Sequence, residues 1–275
     1  MPDPNEAQNL DVSEQGAQAY FVRESATRFG ATQLLSGAWN TEEQHIAPTI
    51  GLLAHLLETD FAARRQDNLR LTRVSYDILG TMPLEPMDVT VSVLRPGRTI
   101  ELVEARLSQR GRDAVIARGW FTARYDTAAL QGSPFPPMRP VEEMERWGLH
   151  TNWAGDFVRT PQIWRHELEV GRVQFWLRGD VPLLANERVS PLAHMLRLID
   201  VSNGVAARVA PGEVAFPNLD LTVHVFREPV DDLTGLDTTA SFGPDGAGLT
   251  HTVLHDREGP FGTFAQTLTV RPLTN

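Results

Sequence analysis

Between residues 46 and 65 the chain reads IAPTIGLLAHLLETDFAARR, with apolar residues recurring at three- and four-residue spacing. That spacing predicts an amphipathic helix. It recurs in SPLAHMLRLIDVSNGVAARV, residues 190–209. This second segment opens on Ser190 and Pro191, a capping hydroxyl followed by a ring whose fixed φ suits the first helical position. Strand-like segments precede each helix: AYFVRE and ATQLLSGAW before the first, HELEV and RVQFWLRG before the second. Strand candidates rich in Val, Thr, Phe and Leu follow each one. The first set is NLRLTRVSYDI, MDVTVSVLR, TIELVEARLSQ and AVIARGWFTARY; the second is NLDLTVHVFRE, GLDTTASFG, LTHTVLHD and PFGTFAQTLTVRP. Turn residues punctuate them at RPGR, QRGRD, GPDGAG and DREGP. Strands meeting through short turns predict antiparallel sheets. One helix per sheet predicts an α+β unit with the helix on one face.

The same order of elements is thus written twice. NLRLT at Asn68–Thr72 and NLDLT at Asn218–Thr222 anchor the correspondence. Between the copies, TAALQGSPFPPMRPVEEMERWGLH is rich in proline and breaks both periodicities, which reads as an exposed linker. The predicted organisation is a first unit over 1–126, a linker over 127–160 and a second unit over 161–275. A chain of 275 residues suits two domains of about 100–150 residues each.

Composition narrows the function classes. The formal charge of −10 disfavours nucleic acid or an anionic membrane as the main partner. With no cysteine, disulfides, thiolate metal sites and a cysteine nucleophile are all excluded, which fits a reducing cytosol. The start, MPDPNEAQNLDVSEQG, lacks the apolar core of a signal peptide. No apolar run approaches the ~20 residues that span a bilayer. A soluble cytoplasmic protein is expected. His251 and His255 stand four apart on a predicted strand, about 13 Å and too far to share one ion unaided, so no metal site is expected. A G-x-S-x-G nucleophile elbow and a glycine-rich phosphate loop are both missing.

VLRPGRTIELVEARLSQRGRDAVIARGWF resembles the hairpin block of the acyl-CoA thioesterase II family. IDVSNGV, NLDLTVHVFREP, GPDGAGLTHTVLHDREGPFG and FAQTLTVR resemble the thioesterase-like proteins common in actinobacteria. The resemblance covers most of residues 17–126 and 160–272. It implies a double hotdog: two tandem antiparallel sheets, each wrapped around a central helix. It also implies hydrolysis of acyl-CoA without metal, covalent nucleophile or cofactor, CoA being part of the substrate. A homo-oligomer of such chains is compatible with it.

In that family a helix carboxylate, a Thr or similar polar residue on the next strand and a Gln on the last strand hold a water against the thioester. The resemblance places Gln266 at the last position and Asp200 at the first by motif. An ungapped alignment from Pro191 and His194 instead places Asn203 at the helix position. Three residues apart, the two share a helix face. At the strand position this chain departs from the family, with Asn218 in place of Thr.

Asp can take a proton from water while an amide directs it. Gly204 would let the substrate approach closely. Thr222, expected on the same strand face as Asn218 and Asp220, is a further candidate for contact with substrate. The bland alternative pairs Asp200 with Arg197 on one helix face. The first copy aligns Leu57, Asn68 and Arg118 with Asp200, Asn218 and Gln266, and a leucine cannot act as a base; that site reads as degenerate. Two other functions stay in view, a catalytically silent acyl-thioester binder and an enoyl-thioester hydratase. The hydratase would require a D-x-N-P-x-H stretch where this chain has NERVSPLAH.

Overall fold

The computed structural model describes residues 19–273, so the polar N-terminal segment read above lies outside the described residues. The first half runs β1 (Phe21–Arg23), β2 (Arg28–Ala31), α1 (Ile46–Arg64), β3 (Leu69–Ile78), β4 (Met87–Arg95), β5 (Ile100–Gln109) and β6 (Arg112–Ala123). A short strand, β7 (Glu145–Trp147), follows. The second half runs β8 (Pro161–Glu169), β9 (Arg172–Gly179), α2 (Pro191–Leu196), α3 (Ser202–Val205) and β10 (Val214–Ala215). It continues with β11 (Asp220–Val225), β12 (Thr234–Phe242), β13 (Ala247–Asp256), β14 (Gly259–Thr269) and β15 (Arg271–Pro272). The architecture is α+β, a mostly antiparallel sheet with few helices.

Two separate sheets were expected. Instead, thirteen strands form one sheet, in the order β1-β2-β4-β5-β6-β3-β11-β14-β13-β12-β9-β8-β7. The junction is β3 against β11, antiparallel, from Asp77 opposite Asp220 to Arg73 opposite His224. Each of these strands would otherwise present a row of unpaired N–H and C=O groups, so joining them removes two bare edges. Outward from that junction the order repeats in both directions: β3, β6, β5 and β4 in the first half, β11, β14, β13 and β12 in the second. The β5–β6 hairpin turns on Arg110 and Gly111, both left-handed at φ 52° and 74°. Two successive positive φ values match the twist of the flanking strands.

Helix α1 differs from its predicted one-sided stripe: every residue from Ala47 to Leu57 is buried. It has sheet on one side and α2 on the other. At the crossing, a Cβ on Gly51 would stand 2.7 Å from Arg197 Cβ and 2.9 Å from the Ala193 carbonyl oxygen, so only glycine allows this approach.

The second predicted helix is broken. Arg197 is fully buried, and its guanidinium donates to the carbonyls of His194, Gly179 and Val181. With the His194 carbonyl engaged, the Leu198 N–H bonds the Met195 carbonyl three residues back instead, at 3.1 Å. The chain tightens into a 3₁₀ turn at Ile199–Val201 before α3 resumes. Asp200 lies on that turn.

Candidate active site

Three side chains far apart in sequence converge under the sheet. On β14 the alternation buries Phe264, Gln266 and Leu268 on the inner face. Gln266 Nε2 donates to Asp200 Oδ1 at 2.7 Å, and Asn218 Nδ2 donates to the same oxygen at 2.8 Å. Ser202 Oγ donates to Gln266 Oε1 at 2.9 Å, which fixes the amide with its nitrogen toward Asp200. Both bonds fall on Oδ1, so Oδ2 is the oxygen left for whatever enters the cavity. Asp200 is 3% exposed. Burial pushes its carboxyl up to about 7, against the downward pull of the two amide donors.

The Asn218 geometry depends on a local irregularity. The Thr267 N–H donates to the Asp220 carboxylate at 2.6 Å, a side chain standing where a strand carbonyl would. Leu219 is turned outward, 50% exposed, with its N–H on the Thr267 carbonyl. In the first copy of the pentapeptide Leu69 and Leu71 are both buried, Asn68 is exposed, and Arg70 reaches away to the Phe226 carbonyl. The matching letters therefore adopt different faces, and the Asp220/Arg70 difference accompanies that change.

Several expectations are corrected. Arg197 is not the partner of Asp200; it bonds only carbonyls, and burial lowers its guanidinium to about 10. Thr222 does not reach the cavity: Leu221 and Val223 take the inner face of β11, and Thr222 lies on the other. Arg118 is not placed like Gln266. It sits on the outer face, bonded to Glu104 and Asp77, while its neighbours Ala117 and Gly119 point inward. Leu57 packs inward against Gly119, so the interior of the first half is apolar there. Asp200 and Asn203 both line one cavity, so the two alignments of the helix position select residues of the same site. The Gly204 N–H is taken by Asn203 Oδ1 at 2.8 Å and is not free for substrate.

The cavity is about 430 Å³ and mostly apolar. Asp200, Asn203 and Asn218 come from the second half, while Trp39, His45 and Met82 come from the first. The individual wall residues of the first half were not named from the sequence, because most of them lie in 40–45 and 79–82, which carry no periodic signal. Ser202 was missed too, although it lies inside the quoted IDVSNGV. Among the described residues no three His, Asp or Glu side chains come together as a metal site, and no helix is long and apolar enough to cross a membrane.

The fold is shared with solved structures at low identity. A conserved protein with a hot dog fold from Alicyclobacillus acidocaldarius superposes with a TM-score of 0.73 at 13% identity, covering 94% of this chain and 98% of that one. An acyl-CoA thioesterase II from Mycobacterium marinum gives 0.67 at 14%, covering 92% and 96%. An N-terminal dehydratase from the difficidin assembly line gives 0.56 at 10%, covering 90% and 92%. At such identities the likeness shows the fold alone, and the dehydratase shows that this fold carries more than one chemistry. No curated protein matches the sequence. Family models do match: the acyl-CoA thioesterase N-terminal domain over residues 35–122 and the acyl-CoA thioesterase C-terminal domain over residues 95–270. The chain belongs to the acyl-CoA thioesterase family.

Proposed function

We propose that this protein hydrolyses acyl-CoA thioesters to the free acid and CoA, with a water positioned by Asp200, Gln266 and Asn218. The observation that carries this reading is a buried carboxylate with one oxygen held by two amides and the other left for the cavity. A carboxyl near 7 is matched to removing a proton from water at neutral pH. As Asp200 Oδ2 takes that proton, the water oxygen bonds the acyl carbon and the carbonyl π pair moves onto the carbonyl oxygen. When that pair returns, the C–S bond breaks and the thiolate of CoA takes the proton back from Asp200. No nucleophilic side chain is consumed.

The two halves, 1–126 and 161–275, are read as two copies of a hotdog unit joined through 127–160, which the outward repetition of strand order supports. Leu57 and the outward Arg118 leave the first copy without the acid and amide, so it serves packing and supplies cavity wall.

Release of free CoA, followed with a thiol-reactive dye across short, medium and long acyl-CoAs, tests the reading. Turnover should be lost in Asp200→Asn and strongly reduced in Gln266→Ala. Equal rates in wild type and Asp200→Asn would sink it.

A further inference from the structure

Beside the Asp200 cavity lies a niche of about 20 Å³. That is room for about one water-sized oxygen. The niche shares Ala38, Trp39, His45 and Asn203 with the larger cavity, so the two adjoin. Its other walls include Leu149, Val158 and Val201. What distinguishes it is the state of three of its side chains, each of which has an N–H to give and no side-chain acceptor left.

His45 caps α1, and its Nδ1 accepts the Ala47 N–H at 3.2 Å. A neutral imidazole with Nδ1 accepting must carry its proton on Nε2. Burial pushes this imidazole down to about 3, so it stays neutral. The ring is held by stacking on Phe157, with centroids 4.1 Å apart. Asn203 is fixed in the same sense: its Oδ1 accepts the Gly204 N–H at 2.8 Å, which leaves the amide NH₂. Trp153 is 8% exposed, and its indole N–H is buried without an acceptor. It is braced edge-on by Trp39 at 4.7 Å. A Cβ on Gly204 would stand 3.2 Å from that indole nitrogen, so the missing side chain at Gly204 keeps the niche open.

We propose that this niche is the oxyanion site, receiving the acyl carbonyl oxygen of the thioester on N–H donors of His45, Asn203 and Trp153. The assignment rests on the thioesterase reading and adds where the carbonyl points. The donors come from the first half, the second half and the connecting segment, so the site exists only when all three are assembled. They are neutral and fixed before substrate arrives. Such donors stabilise the charge that develops on the oxygen without reorganising, and the loss of one costs about 10²–10³-fold in kcat. A leftover buried donor such as the Trp153 N–H is costly unless it has a use.

The test uses three variants and two readouts. Asn203→Asp keeps the Oδ1 acceptor on the Gly204 N–H and replaces the donor with a carboxylate oxygen. Trp153→Phe removes one N–H. Gly204→Ala removes no polar atom but puts a methyl into the niche, which keeps the idea falsifiable if another variant misfolds. Each should lower kcat by about 10²-fold or more with KM changed only a few-fold. The second readout is the carbonyl stretch of bound ¹³C=O-labelled acyl-CoA, which should fall below its solution value in wild type and return toward it in the variants. If wild type turns over but the variants keep kcat within about threefold and the same stretch, the oxyanion assignment is overturned while the hydrolase reading stands. If wild type does not turn over but lowers the stretch through these residues, the niche assignment stands and the hydrolase reading fails. A bound acyl-CoA with an unshifted carbonyl, or no binding, overturns the assignment.

Discussion

The Asn218 amide donates to Asp200 Oδ1 across 2.8 Å, tying the residues before β11 to the turn between α2 and α3. The acyl-CoA thioesterase II family carries Thr at this strand position. A hydroxyl and an amide can each make one donation to a carboxylate oxygen. Asn218→Thr is therefore expected to keep kcat within about tenfold of wild type, while Asn218→Leu loses substantially more. Steady-state hydrolysis of one acyl-CoA by the three proteins checks this.

Catalysis should depend on pH through Asp200. Its carboxyl is raised to about 7 by burial, and it must be ionised to accept the proton of water. The expected kcat/KM profile rises with pH through about 7 and flattens above. The amides of Asn218 and Gln266 pull that carboxyl down, so removing either as Leu should move the midpoint upward, by about one pH unit for a hydrogen bond to a charged group. A midpoint that moves downward or stays fixed would reject Asp200 as the titrating base.

The same shift has a cost in stability. A carboxyl at about 7 in the folded protein and near 3.9 unfolded binds more protons folded than unfolded between those values, so stability falls as pH rises across that window. Asp200→Asn removes the ionisation. It should be more stable than wild type at pH 8, on the order of 2–4 kcal/mol, with the gap closing toward pH 4. Urea denaturation at pH 4.5, 6 and 8 measures this directly.

Asp220 is expected to act at one remove, as a positioning residue. Its carboxylate takes the Thr267 N–H beside Gln266 and accompanies the turn that brings Asn218 inward. Asp220→Ala should lower kcat several-fold, and Asp220→Asn, which keeps an acceptor oxygen, should restore it. Equal loss in both variants would point to charge rather than to the strand irregularity.

Gly51→Ala should destabilise the fold without touching the chemistry. The added methyl meets Arg197 Cβ and the Ala193 carbonyl oxygen at under 3 Å. Overpacking of this kind costs about 1–3 kcal/mol. The expected result is a lower denaturation midpoint with an unchanged kcat per folded molecule.

Much of this was legible in the residues. Period-2 strands, turn residues and two helical segments in the same order led to an α+β chain, and the resemblance singled out Asp200 and Gln266 ahead of any geometry. The misreadings have physical causes. Arg118 was aligned with Gln266 by letters, but one residue of slip on a strand exchanges the inner and outer faces. Thr222 was placed beside Asn218 by alternation, which fails where Asp220 interrupts the ladder. The helix over 190–209 was read as continuous because nothing local shows Arg197 reaching the carbonyls of Gly179 and Val181.

By itself, then, the sequence determined most of the long strands, the first helix and the order in which the elements come, because hydrophobic period and turn chemistry act over a few neighbouring residues. Only the tertiary structure decided that β3 and β11 join into one sheet, that Asp200 gathers two amides on one oxygen, and that His45, Trp153 and Asn203 face one niche. Those outcomes depend on which faces and edges meet between segments that are not neighbours in the chain, from 18 residues apart for Asp200 and Asn218 to far more for β3 and β11. Long-range packing, rather than any local preference, sets those contacts.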